Sequence, residues 1–110
     1  MSEAHKMSSV QLGDKHLIKT FPHPVDIQGE TYYLTICEDQ YRLLSSLCPH
    51  AGGQVVIYNE KLVCPLHMWT FDAKSGQCLV VRGASLEHYE VKEEQGQLVA
   101  QLPQSLAGGS

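Results

Sequence analysis

The stretch that decides how this chain is read runs from residue 48 to residue 72, CPHAGGQVVIYNEKLVCPLHMWTFD. It opens with Cys48-Pro49-His50 and returns, 16 residues from cysteine to cysteine, to Cys64-Pro65-Leu66-His67. Each segment sets one thiol and one imidazole on a short loop, with a proline directly after the cysteine. Proline fixes its own backbone and turns its neighbour away from helix, which suits a stiff ligand loop. Gly52-Gly53 follows the first histidine and lets the backbone pass close to a bulky group. Four ligands of two types in two matched loops point to a metal, bound through Cys48, His50, Cys64 and His67. A single zinc ion would accept two sulfurs and two nitrogens in a tetrahedron. A [2Fe–2S] cluster would take both cysteines on one iron and both histidines on the other. Mixed Cys/His loops and the glycine pair favour the cluster over a structural zinc module.

Outward from this stretch, β-prone bursts alternate with turn formers. Residues 15–21 read as a first strand, broken by Pro22 and Pro24. Residues 30–38 alternate, with Tyr32, Leu34 and Ile36 on one face and Thr31, Tyr33, Thr35 and Cys37 on the other. Glu38-Asp39-Gln40 turns the chain into residues 41–47, a hairpin partner. Residues 54–58 and 61–63 flank an Asn59-Glu60 turn. Residues 69–71 and 77–81 flank 72–76, and residues 87–92 and 97–101 flank 93–96. No window holds a helical period, so the fold class is all-β, with antiparallel sheets. Both ligand loops then fall at strand ends.

The 110 residues suit one domain. The expected domain spans 8–103, with flexible termini at 1–7 and 104–110. Eight Lys and Arg against 12 Asp and Glu leave a net charge of −4. That balance supplies no footprint for nucleic acid. No apolar run suits a membrane helix, and the polar N-terminus lacks a signal-peptide core, so a cytoplasmic protein is expected. In that setting Cys37 and Cys78, which have no histidine companion, read as core thiols in strands rather than a disulfide.

The motifs Cys48-Pro49-His50-Ala51-Gly52-Gly53 and Cys64-Pro65-Leu66-His67-Met68-Trp69-Thr70-Phe71-Asp72 resemble the Rieske iron–sulfur family. Residues 71–76, ending in Gly76, resemble its Phe-Asp-x-x-x-Gly hairpin, and Leu86, Tyr89, Val91, Gly96, Leu98 and Val99 resemble its closing strands. The resemblance implies a small cluster-binding subdomain on a larger antiparallel base. It assigns Cys48 and Cys64 to the buried iron and His50 and His67 to the iron nearer solvent. Three features depart from the family pattern. The 13 residues between His50 and Cys64 imply a hairpin trimmed at Asn59-Glu60. Met68 stands where glycine is common, and Gly83-Ala84-Ser85 replaces a proline-rich cover.

High-potential members carry an extra cysteine in each loop, where this chain has Gly52, Gly53 and Leu66. They also present serine and tyrosine hydroxyls, where this chain has Trp69 and Phe71. Missing hydrogen bonds to sulfur lower the potential, toward the low end of the range of about −150 to +300 mV. The resemblance therefore implies a low-potential, oxygenase-associated ferredoxin: a one-electron carrier rather than an enzyme. Its partners would be a flavin-dependent reductase and a terminal oxygenase, including dioxygenase systems, and it would act as a monomer off the membrane. The alternative is a small subunit built into a larger oxidoreductase such as nitrite reductase. His5, His16, His23 and His88 show no pairing suited to a second, mononuclear iron. They read as surface or structural residues.

Overall fold

The computed structural model describes residues 7–49, 53–66 and 68–103. Tight turns organise the chain. Gln28-Gly29, Glu38-Asp39, Asn59-Glu60 and Gln95-Gly96 each place two successive residues at positive φ. That backbone twist matches the twist of the flanking strands, so each pair closes a hairpin. The Asn59-Glu60 turn is the trimmed connection expected from the loop spacing.

Among the described residues nine strands result: β1 (Met7–Asp14), β2 (His23–Ile27), β3 (Glu30–Cys37), β4 (Gln40–Ser45), β5 (Val56–Tyr58), β6 (Lys61–Cys64), β7 (Trp69–Phe71), β8 (His88–Glu94) and β9 (Gln97–Pro103). They form a six-stranded sheet in the order β1-β9-β8-β4-β3-β2 and a three-stranded sheet in the order β5-β6-β7. Every pairing is antiparallel. The all-β expectation holds, as does the division into a small subdomain and a larger base.

The larger sheet is rolled. Val10 and Leu12 from one edge and Val25 from the other pack against one core of Ile27, Tyr32, Leu34, Leu43, Val91, Leu98, Ala100 and Leu102. Side chains alternate across a strand, so β3 and β4 serve two cores at once. Tyr32, Leu34 and Leu43 point into the rolled sheet. Tyr33 and Leu44 point the other way, into a second core shared with Cys48, Val55, Leu62, Cys64, Phe71 and Leu86. The three-stranded sheet sits on that outer face.

Four expectations need correction. Residues 15–21 are not a strand: Lys15–Leu17 is a 3₁₀ turn capped by Asp14, whose carboxylate accepts the His16 N–H at 2.8 Å. The turn is pinned to the β8–β9 hairpin by a Lys15–Glu93 ion pair of 2.7 Å. The strands lie on either side of it, as β1 and β2. Pro24 is tolerated because β2 is a sheet edge, where a missing N–H breaks no ladder. Residues 77–81 form no regular strand, only the bridge of Cys78 to Phe71 and that of Gln77 to Ser85. Cys37 and Cys78 are half-buried rather than core thiols, and both are free. Strand β4 stops at Ser45 rather than 47, because Leu47 turns away to bridge Gln54. The terminal segments 1–6 and 104–110, including His5, lie outside the described residues.

Candidate metal centre

Register places both ligand loops together. Val56 at the start of β5 pairs with Val63 near the end of β6, and Cys64 at the end of β6 pairs with Trp69 at the start of β7. The first loop, which feeds β5, therefore lies at the same end of the small sheet as the loop joining β6 to β7. The Asn59-Glu60 turn and the 72–76 turn occupy the opposite end.

Local hydrogen bonds close each loop. In the first, the Cys48 N–H donates to the Gly53 carbonyl and the Val55 N–H to the Ser46 carbonyl, both at 2.7 Å. In the second, the Met68 N–H donates to the Cys64 carbonyl at 2.7 Å. Met68 takes φ +60°, the left-handed conformation that a glycine would adopt without strain. The chain thus keeps the loop shape expected of glycine while carrying a side chain that stays in solvent.

Cys48 and Cys64 are 2% and 0% exposed, in one apolar core, and neither is oxidised to a disulfide. Two reduced thiols buried together at the tip of a small sheet suit metal ligation. A Cβ added at Gly53 would stand 2.6 Å from Leu66 Cδ1 and 3.2 Å from Cys64 Sγ, so a side chain here would displace Leu66 and press on this sulfur. The two buried thiols and the close approach of the bare Gly53 backbone to one of them fit a metal group held by sulfur. His50 and His67 lie outside the described residues. Among the described residues, which leave out His50 and His67, no three or more His, Cys, Asp or Glu side chains gather as a metal site.

The base sheet reaches into this centre through Tyr33. Its buried hydroxyl donates to the Val55 carbonyl at 2.9 Å, tying β3 to the segment that leaves the first loop. Burial pushes the Tyr33 phenol above its ordinary value, so it stays protonated and donating. From the sequence alone Tyr33 is a strand residue and nothing more. Its one signal was a polar-tipped aromatic within a strand that buries both faces. Phe71 is fully buried, and Trp69, half-buried, lies 6.5 Å from it, in keeping with their expected packing roles. At the far end, Asp72 accepts the Lys74 and Ser75 N–H groups at 2.7 and 3.0 Å. Those N–H groups, that of Ser75 first, hold its carboxyl below the usual range. Around the loops Leu47, Leu66 and Met68 are exposed.

An antiparallel base carrying a small sheet, with two buried, free cysteines at one end of it, fits a metal-binding β domain. The model of the Rieske [2Fe-2S] domain family matches residues 4–100, and the chain belongs to that family. Its cofactor is a [2Fe–2S] cluster. The chain is 33% identical over 70 residues to the methanesulfonate monooxygenase ferredoxin subunit of Methylosulfonomonas methylovora. That match covers 60% of this chain, and the chain spans 57% of the length of that relative. Among solved structures, the ferredoxin of carbazole 1,9a-dioxygenase from Nocardioides aromaticivorans IC177 superposes with a TM-score of 0.59 at 22% identity, over 84% of this chain and 96% of that one. A small-subunit protein assigned to an NADPH nitrite reductase superposes with a TM-score of 0.55 at 24% identity, over 84% and 97%. At these identities the two structures show the shared fold.

No helix among the described residues is long and apolar enough to cross a membrane.

Proposed function

We infer that this chain is a Rieske-type ferredoxin, a one-electron carrier between a flavin-dependent reductase and a terminal oxygenase. Residues 8–103 are its working domain. Cys48 and Cys64 would hold one iron of the cluster, and His50 and His67 the other. The observation that carries this reading is the burial of two reduced thiols in one core at one end of the small sheet. The ferredoxin-subunit relative supports the oxygenase context.

When bound, a [2Fe–2S] cluster supplies one-electron redox chemistry. The chain's own residues prepare its surroundings. Leu44, Val55, Leu62 and Phe71 keep water from the two thiols. Gly53 leaves space beside the Cys64 sulfur, and the Tyr33 hydroxyl holds the exit of the first loop. Trp69 and Phe71 bring no hydroxyl toward the centre, which places the potential low in the Rieske range. The chain itself performs no substrate chemistry, acts as a monomer, and works in the cytoplasm.

The test is electron paramagnetic resonance of the dithionite-reduced protein, run beside its visible spectrum and a potential titration. A red-brown protein with the rhombic signal of histidine-ligated iron supports the assignment. His50→Cys and His67→Cys should then each change or abolish that signal. A colourless, silent protein with stoichiometric zinc overturns the carrier reading. A potential above roughly +100 mV, well up the Rieske range, overturns its low-potential part.

A further inference from the structure

The chain contains two arginines, Arg42 and Arg82, and both line one cleft of about 360 Å³. His88, Ser75, Gln77 and Ser85 share its walls, and among the described residues no carboxylate lines it. None of the described residues of the two ligand loops lines it, but Cys78 and Gly83-Ala84-Ser85 do, so the cleft lies behind the segment that stands where the family has its cover, with Cys78 packed on the core of the two thiols. It lies on the outer face of β4 and β8, under the segment that joins β7 to β8. That segment is held in place by Cys78 N–H to Ala84 carbonyl and Leu86 N–H to Gly76 carbonyl bonds, each of 2.9 Å.

The charges around it are uneven. In a chain of net charge −4, overall electrostatics repel anions, so any anion attraction here is local. Glu90 stands opposite Arg42 across the β4–β8 pair, and Glu87 precedes His88. Neither forms an ion pair with an arginine, and among the described residues neither guanidinium has an ion-pair partner. Two cations sharing one concavity repel each other unless an anion lies between them. A guanidinium presents a planar fork that matches carboxylate and phosphate oxygens. Neutral donors complete the set. The Ser75 oxygen accepts the Gln77 N–H at 3.2 Å and keeps its own proton to donate. Arg42 is half-buried in the wall while Arg82 is exposed at the rim, an arrangement that lets one cation anchor and the other close over a ligand.

We propose that the Arg42–Arg82–His88 cleft binds a small oxyanion of the phosphate or dicarboxylate class. The proposal rests on the cleft's own residues, and its test does not depend on the cluster's potential.

The test titrates the cluster-loaded full chain with inorganic phosphate, against sodium chloride at matched ionic strength, and follows backbone amide shifts by NMR. Saturable shifts at Gln77, Ser85 and His88 are expected with phosphate and not with chloride. Arg82→Gln, at an exposed position, should weaken phosphate binding about tenfold, the scale of one charge-assisted contact. Arg42→Gln should weaken it at least as much. Lys92→Gln, on β8 but outside the cleft, should leave it unchanged. An unaltered visible spectrum reports that each variant is folded, and Arg82→Gln alone decides the matter should Arg42→Gln fail to fold. The proposal is overturned by shifts no larger with phosphate than with chloride. It is equally overturned by shifts centred on Lys61 and Lys74, or by an Arg82→Gln affinity matching that of Lys92→Gln.

Discussion

Strand β9 buries Leu98, Val99, Ala100 and Leu102, whereas all three residues of β5 are exposed. The contrast runs through the two sheets. The larger one has its own core, filled by strands of five to eight residues. The smaller one has strands of three or four residues. Its core is completed by Tyr33 and Leu44 from the base and by the two thiols. Hydrophobic burial suffices for the base, while the small sheet is completed by what its neighbours and its ligands supply. The division suits a carrier, since the ligand loops are presented at the tip of a small unit and stiffened from beneath.

The largest test of this contrast is removal of the cluster. Ligand binding is folding free energy for a small metal unit, so iron-free protein should lose amide protection across β6 and β7. Protection across β3, β4, β8 and β9 should survive. Equal loss in both sheets, read by hydrogen exchange, would show one cooperative unit and erase the distinction.

Next comes Leu34→Ala, a cavity in the base core at a side chain with no exposure. It should lower stability by about 3 kcal/mol in denaturant unfolding. The visible spectrum of the folded variant should be unchanged, because Leu34 points away from the ligand loops. A shifted spectrum would mean that the base core shapes the metal centre directly.

Tyr33→Phe tests the strut between the sheets. Losing the 2.9 Å bond leaves the buried Val55 carbonyl without that donor and should cost about 1–2 kcal/mol. Unlike Leu34→Ala, it should also perturb the spectrum, since the bond holds the exit of the first loop. A stability loss with an unaltered spectrum would make Tyr33 a packing residue only.

Met68→Gly should raise stability, by about 0.5–1 kcal/mol, because glycine takes φ +60° without strain and the methionine side chain is exposed. A lower thermal midpoint would show that Met68 contributes packing which outweighs its backbone strain.

The smallest effect concerns acid. The Asp72 carboxyl is held low by the Ser75 and Lys74 N–H groups, so the folded state favours its charged form. Its contribution is fully present above the unfolded carboxylate value of about 3.9 and is lost as pH falls through the lower folded value. Wild type should therefore hold a constant small advantage over Asp72→Asn from neutral pH downward, narrowing only below that point. An advantage that does not change with pH in urea unfolding would remove the charge from the explanation.

What can be read without the structure is local chemistry. Cys48-Pro49-His50 and Cys64-Pro65-Leu66-His67 announce a metal because ligand type and spacing are written in adjacent residues. The Asn59-Glu60 and Glu38-Asp39 turns were legible because turn formers between two strand-prone runs signal a tight hairpin over a few residues. Other features depend on partners far along the chain. Strand β1 is a mostly polar run that makes sense only opposite β9, with Val10 facing Ala100. The 15–21 burst looked more strand-like, yet Asp14 caps a turn there and the strands flank it. Pro24 forbade a central strand but not an edge, and strand order is absent from local pattern. Alternation in β3 was visible, but not that each face would meet its own core. The Tyr33 strut and the pairing of Arg42 with Arg82 in one cleft have the same origin. Backbone sterics and ligand chemistry act over a few residues and leave a trace in the sequence. Burial and charge clustering arise only when distant segments share one volume, and only the folded chain brings those segments together.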